Sequence, residues 1–419
     1  MMGKKLLAPS AQPRRRAKRM QVLNEAAKAL NRQGVSQTSL AEVAKRVGIS
    51  RAALYYYFED QQDLVFQCYV RSCEQLARRL SEATHGASDA LEVIKKFIAG
   101  MLSEGEPEFA ALSEPAFLRV DQRDTIVGLY EALRASVVHT LDEGARRGDL
   151  RSCHSELVAS AIIGLISWVP TARRWRRVSP LSDRDLVEAI SATLQDGIAA
   201  ERSTPVSYVP FSLSTMGRLS ARQVFDQAAM AAARQEAILV AASWLFNLKG
   251  VDATSLEEIA LRVGVTKKVI YHNVRDKETL VANCYRRAFR FYEDVGARMR
   301  AYEGPRIDAL SASAHALAEG SLSEDMTPFR PFTGFEARPK QEREEMQTAG
   351  QRLEVTYLEA YNQGRAEGTV REVNARAVFA ILPGLVEWLP KWFDAFDEAD
   401  RARAPRELAE LFRLGLRPL

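Results

Sequence analysis

Cysteine is scarce in this chain of 419 residues: Cys68, Cys73, Cys153 and Cys284 are the full set. None forms a C-x-x-C pair or stands at metal-ligand spacing from a histidine, so neither a disulfide framework nor a zinc site is expected. Histidine is as rare. His85, His139, His154, His272 and His315 have no acid and nucleophile at an instructive spacing. The G-x-S-x-G elbow, the P-loop and the G-x-G-x-x-G turn are missing too. Together these absences argue against an enzyme and predict no cofactor and no metal. The longest apolar run, "LVASAIIGLISWVP" (157–170), is too short for a bilayer span and reads as a buried core helix. No apolar segment at the start suggests a signal peptide. The expectation is a cytoplasmic protein with no membrane partner. Net charge is only +4, too little to imply nucleic acid by itself.

What is present is repetition. "GVSQTSLAEVAKRVGISRAALYYYF" (34–58) returns as "GVDATSLEEIALRVGVTKKVIYHNV" (250–274), 216 positions later, and about 17 of the 39 residues over 34–72 are identical. "EGARRGDLR" (143–151) parallels "QGRAEGTVR" (363–371), and "GLISWVP" (164–170) parallels "GLVEWLP" (384–390), both offset by 220. A period this long means two complete units rather than a solenoid. Each is helical by periodicity, and the fold class is all-α. The Ser- and Pro-rich stretch at 201–220 reads as the linker between them.

The repeated stretch builds a helix-turn-helix. Val22, Leu23, Ala26, Ala27 and Leu30 recur at helical spacing and stop before Gly34. Ser39 and Glu42 have capping-box spacing at a second helix, and Thr254 with Glu257 is expected in that role in the second copy. Gly48 and Gly264 end these helices. Ser50 caps a third helix, with Ile49 and Leu54 at staple spacing; Val265, Thr266 and Ile270 repeat the device. The exposed face of that helix offers Ser50, Arg51, Ala52, Ala53, Tyr55 and Tyr56 in one copy. In the other it offers Thr266, Lys267, Lys268, Val269, Tyr271 and His272. The first 20 residues hold seven cations and no acid, including Arg14, Arg15, Arg16 and Lys18, and read as a basic arm that neutralises phosphates or enters a minor groove.

The pattern T-S-L-x-E-[VI]-A-x-R-V-G-[IV]-[ST], followed by a short helix ending in Tyr, resembles the TetR family of bacterial transcriptional repressors. The resemblance covers residues 19–69 and 234–285 and implies double-stranded DNA as partner, with bases read by the third helix. It implies phosphate contacts from Thr38 and Thr254, from Tyr55 and Tyr271, and from a lysine present as Lys277 but replaced by Gln61 in the first copy. With the neighbouring Ser39, Tyr57, Ser255 and Asn273, these complete the candidate DNA-binding set. Val274 stands where the first copy has Phe58.

Domains are expected at 14–72 and 229–290 for the heads and 73–200 and 291–419 for helical regulatory halves, with a disordered tail at 1–13 and a linker at 201–228. TetR-type proteins pair their last two helices. Fused units allow an intramolecular pseudo-dimer through 157–168, 377–388, 182–199 and 405–416, and a further homodimer remains open. Unlike third helices predict unlike half-sites. The resemblance implies a small effector, apolar or acyl-CoA-like, among Phe109, Phe117, Tyr130, Trp168 and Trp175 in the first unit and Phe332, Phe335, Tyr357, Trp388 and Trp392 in the second. Arg173, Arg174, Arg176 and Arg177 are candidates for CoA phosphates, with only Lys391 in the matching place. The alternative function is a sensor or partner-binding module in which only the first head meets DNA and the second unit is a scaffold.

Overall fold

The computed structural model describes residues 11–35, 38–102, 107–173, 181–213, 225–330, 338–387 and 396–419. Among them the first unit comprises α1 (Ala11–Gln33), α2 (Leu40–Val47), α3 (Arg51–Leu54), α4 (Gln61–Thr84), α5 (Ala90–Leu102), α6 (Val120–Arg147), α7 (Ser155–Ala172) and α8 (Asp183–Asp196). The second repeats the series as α9 (Gln227–Lys249), α10 (Leu256–Val263), α11 (Lys267–Asn273), α12 (Lys277–Ala301), α13 (Arg306–Leu322), α14 (Lys340–Ala366), α15 (Ala375–Val386) and α16 (Glu398–Leu414). The described residues hold no strand, only one isolated bridge between Ala199 and Val370.

Local chemistry sets the heads. The Ser39 hydroxyl accepts from the Glu42 amide at 3.1 Å to open α2, and Gly48 closes it at φ 70°. A Cβ there would touch nothing within 4 Å, so this glycine serves the left-handed backbone rather than packing. The Ser50 hydroxyl accepts from the Ala53 amide, and Leu54 behind it is fully buried. In the second head the capping box is formed by Ser255 and Glu258, not by Thr254 and Glu257. Thr254 is engaged elsewhere: its hydroxyl donates to the Gly250 carbonyl at 2.8 Å, as Thr38 donates to Gly34 at 2.7 Å.

The basic stretch is no extended arm. Residues 14–19 form early turns of α1, which starts at Ala11, so residues 11–13 of the expected tail are helical and 1–10 lie outside the described residues. Arginine, lysine and alanine favour helix, and Pro13 sits in the first turn, where its missing amide costs nothing. The boundaries drawn at 72/73 and 290/291 fall inside α4 and α12. Helical apolar spacing continues without a break through Leu64, Cys68, Leu76 and Leu80, so no hinge separates head from regulatory half.

The two halves meet through α7, α8, α15 and α16. A Cβ on Gly384 of α15 would stand 2.6 Å from Trp168 Cβ on α7, and Trp168 Nε1 donates to the Ala380 carbonyl at 2.7 Å. Beyond α8 and α16 the chain crosses itself. Gly197 (φ 63°, ψ −153°) and Gly415 (φ 64°, ψ −156°) share one conformation. Arg371 N donates to Ile198 O at 3.0 Å and Arg151 N to Leu416 O at 2.8 Å, the same bond made twice. α7 is long and apolar enough to cross a bilayer, unlike the shorter run read from the sequence, but 89% of it is buried in this contact and its own unit.

The linker is strapped down as far as it is described, to Leu213. Arg202 Nε donates to Leu414 O at 2.8 Å, Tyr208 bonds His315 Nδ1 at 2.8 Å, and Val209 N donates to the Tyr302 hydroxyl at 3.0 Å. α9 begins at Gln227, two residues before the boundary expected at 229.

Candidate nucleic-acid interface and cavity

In the first head Arg51 and Ala52 are exposed and Ala53 is half-buried. α3 ends at Leu54, so Tyr55 and Tyr56, 45% and 55% exposed, stand in the turn after the helix, with Tyr57 half-buried beside them. The Arg15 guanidinium lies 4.4 Å from the Tyr56 ring centroid, and Arg51 Nη2 donates to the Tyr55 hydroxyl at 3.1 Å. The basic end of α1 and the start of α3 therefore form one surface, carrying exposed Arg14, Arg15, Arg16 and Arg51. Lys18 and Arg19 turn inward, donating to Val47 O at 3.1 Å and to Gln67 Oε1 at 2.7 Å.

Some expected contacts are not available at that surface. Thr38 and Thr254 are each 1% exposed, their hydroxyls committed to the chain's own carbonyls, so they hold the loop rather than a phosphate. Ser39 and Ser255 are exposed but serve as caps. Gln61 donates to Val35 O and Thr38 O at 2.9 and 2.8 Å. Lys277 in the matching position reaches the Asp252 carbonyl at 3.4 Å, and burial lowers its pKa. Both side chains close the same loop.

The second head presents Lys267, Lys268, Tyr271 and His272 exposed and Val269 half-buried beside them, with Thr266 at the N-cap making no capping bond and Asn273 ending α11. Lys267 forms an ion pair with Glu257, which raises the lysine's pKa and lowers the carboxyl's. The first head has Ala41 where Glu257 stands, and Lys45 where the second has Leu261, 82% exposed. Opposite residues 14–19, with five cations, the second copy has residues 230–235 with Arg234 alone. The basic stretch thus fronts the first head alone, an imbalance the aligned copies carry in the sequence.

The model of the bacterial regulatory proteins of the tetR family matches residues 22–68 and again 238–284. The chain carries the tetR-family head twice. It is a helix-turn-helix DNA-binding transcriptional regulator. The HTH-type transcriptional regulator AcrR of Shigella flexneri is 23% identical over 159 residues, which cover 35% of this chain and 74% of AcrR. The fatty acid metabolism regulator protein of Bacillus subtilis (strain 168) is 21% identical over 175 residues, covering 39% and 90%. A solved TetR-family regulator, PfmR from Thermus thermophilus, is 20% identical with a TM-score of 0.33, covering 41% of this chain and 94% of that one.

A cavity of about 140 Å³ lies where α12, α14 and α15 meet α7 of the other unit. Its wall is apolar, with Phe289, Leu353, Phe379 and Leu382 facing Trp168. Three charged residues interrupt it. Glu354 pairs with the exposed Arg376 at 2.7 Å, and Glu387 at the end of α15 is 3% exposed. Burial raises the Glu387 carboxyl to about 7 against the opposing pull of Arg330.

Of the aromatics expected at a ligand, Trp168 and Tyr357 line this cavity. Phe109 packs under the first head, where its carbonyl accepts from Asn31 Nδ2 at 2.8 Å. Phe117 is half-buried in a 3-10 turn, and Tyr130 is wholly buried in the first unit. Trp175, Phe332, Phe335, Trp388 and Trp392 lie outside the described residues, as do Arg174, Arg176, Arg177 and Lys391. Arg173 is held by Asp183 at 3.0 Å. Glu387 went unnoticed; the trace it left was "GLVEWLP" against "GLISWVP", a carboxylate where the first unit has Ser167.

Proposed function

We propose that the chain is an effector-responsive repressor that works as an intramolecular pseudo-dimer, reading two unlike half-sites with its two heads. The observation that carries the reading is the doubled crossing of α8 and α16 with the α7–α15 contact, the place where two-fold regulators join their subunits. Covalent linkage replaces bimolecular pairing by an intramolecular step at high effective concentration. Arg51-Ala52-Ala53 in one head and Lys267-Lys268-Val269 in the other present different hydrogen-bonding groups to a major groove.

The route from effector to DNA runs along α12. Leu280, Cys284 and Tyr285 pack in the second head, while Phe289 and Tyr292 on the same helix line the cavity. Seven residues of helix, about 10 Å, separate Tyr285 from Tyr292. A ligand that favours one position of α12 therefore favours one position of the head. An acyl-CoA effector fits less well than a compact one, because Arg173 is committed to Asp183 and two of the three charged groups at the cavity are carboxylates.

Selection of duplexes from a random library by the full chain tests the proposal. Two unlike half-sites about one turn apart are expected. A single half-site, or a palindrome bound by two chains, refutes the paired reading. The second reading, a scaffold role for the second unit, draws on Glu257 beside Lys267 and on the loss of basic residues at 230–235. Under it, Lys267→Ala with Lys268→Ala leaves specific binding unchanged. Under the paired reading the double substitution relaxes one half-site, at about 1–3 kcal/mol per lost base contact.

A further inference from the structure

The two units differ where the cavity opens. An offset of 220 places Gly350 opposite Tyr130, each about four helical turns before a Gly that closes the helix against the following segment (Gly364 against Val370, Gly144 against Leu150). Tyr130 is fully buried, so its ring occupies in the first unit the place that Gly350 leaves empty in the second. Around this swap the charges also change. The first unit pairs Arg134 with Glu156; the second pairs Glu354 with Arg376 at the same two positions, signs reversed. Glu387 replaces Ser167, and Tyr292 replaces Leu76.

Glu387 is the anomaly in this wall. It is almost completely buried, it lines the cavity, and its Oε2 accepts no hydrogen bond. The hydroxyls of Tyr292 and Tyr357 line the same space, Tyr292 beside the Glu387 carboxyl and Tyr357 beside Ser313. A buried carboxylate with an unused acceptor costs free energy that a donor brought by a ligand would offset. Arg330 does not line the cavity, and its attraction is too weak to overcome the burial of Glu387. An anionic ligand would meet Glu387 and Glu354 and would have to break the Glu354–Arg376 pair to find a cation.

We infer that effector sensing is confined to the second unit, and that its cavity takes a compact apolar amine whose ammonium group binds Glu387. This rests on the reading of the chain as an effector-responsive regulator. The cavity matches in volume the roughly 150 Å³ apolar cavity known to hold benzene, so the ligand body is about one ring or a short branched chain. Tyr292 and Tyr357 then act as acceptors or donors to the same head group, and Trp168 from the first unit closes the site.

The test is calorimetric titration of the full chain with three probes of one shape, benzylamine, benzyl alcohol and benzoate, followed by Trp fluorescence. The expected order of affinity is amine, alcohol, acid. Glu387→Gln is expected to weaken benzylamine at least tenfold and leave benzyl alcohol within twofold. Gly350→Tyr, which copies the first unit, is expected to abolish binding of all three. DNA binding by each variant on a selected duplex reports that it is folded. Equal binding of the three probes, preference for benzoate, or benzylamine binding untouched by Glu387→Gln overturns the inference. So does the absence of any binding while DNA is still bound. Benzylamine bound through Glu387 by a chain that ignores DNA leaves the site standing and removes the regulatory reading instead.

Discussion

Replacing Arg14, Arg15 and Arg16 together by alanine removes three exposed cations from the surface that α1 shares with α3. Alanine is the better helix former, so α1 persists, and the stacking of Arg15 on Tyr56, about 0.5–1 kcal/mol, is the main local loss. If each arginine neutralises one phosphate, the plot of log affinity against log salt loses about 2.7 from its slope. Between about 50 and 200 mM salt the parent chain then weakens about 40-fold more than the variant. Fluorescence anisotropy with a labelled duplex across that range measures the slope directly, and circular dichroism checks the helix. The reasoning fails if the slope changes by less than about one, since the arginines then face solvent in the complex. The same experiment on Lys267→Ala with Lys268→Ala bounds the second head, whose ceiling is a change of about 1.8.

Glu257→Ala frees Lys267 from its ion pair and is expected to strengthen DNA binding about two- to fivefold at low salt, read by the same anisotropy assay. Gly197→Ala sets a methyl group against the Arg413 carbonyl oxygen at a backbone φ of 63°, and is expected to cost about 2–4 kcal/mol, seen as a lowered midpoint in denaturant. Glu387 carries a pKa raised from 4.5 to about 7 by burial. The folded state then holds a proton that the unfolded chain has lost, so stability falls as pH rises from about 4.5 to about 7 and levels off above. Glu387→Gln removes this titration, so the variant is expected to gain stability relative to the parent as pH rises from about 4.5 to about 8, measured by urea unfolding. Equal effects at both pH values would contradict the burial argument.

The heads were legible because their determinants are local. Ser39, Gly48 and Ser50 act on residues three or four positions away, and the spacing shows them. Thr38 was misread for the opposite reason: what holds its hydroxyl is a carbonyl exposed by Gly34, a partner that exists only once the turn is built. The arm was misread because the same arginines suit a solvated tail and the first turns of a helix, and only the continuation into Val22 decides between them. Lys277 looked like a phosphate ligand by position, but its length lets it fold back to Asp252. The cavity was invisible. It depends on Gly350, Glu387 and Trp168 meeting from three helices of two units, and no periodicity joins them. Aromatic content pointed to Trp168 and Tyr357 and equally to Tyr130, which closes in the first unit the space left open in the second.

A tyrosine in one unit and a glycine in the other also fix the shape of the dose–response curve. A symmetric dimer with a pocket in each subunit can couple its two occupancies and respond steeply, passing from one-tenth to nine-tenths over about a 9-fold rise in ligand. One site serving two heads follows a simple hyperbola, which needs about an 80-fold rise for the same change. Fusion of the units let one half give up its opening without the other, an exchange closed to a homodimer, where every substitution appears twice. The result is a graded dial in place of a switch.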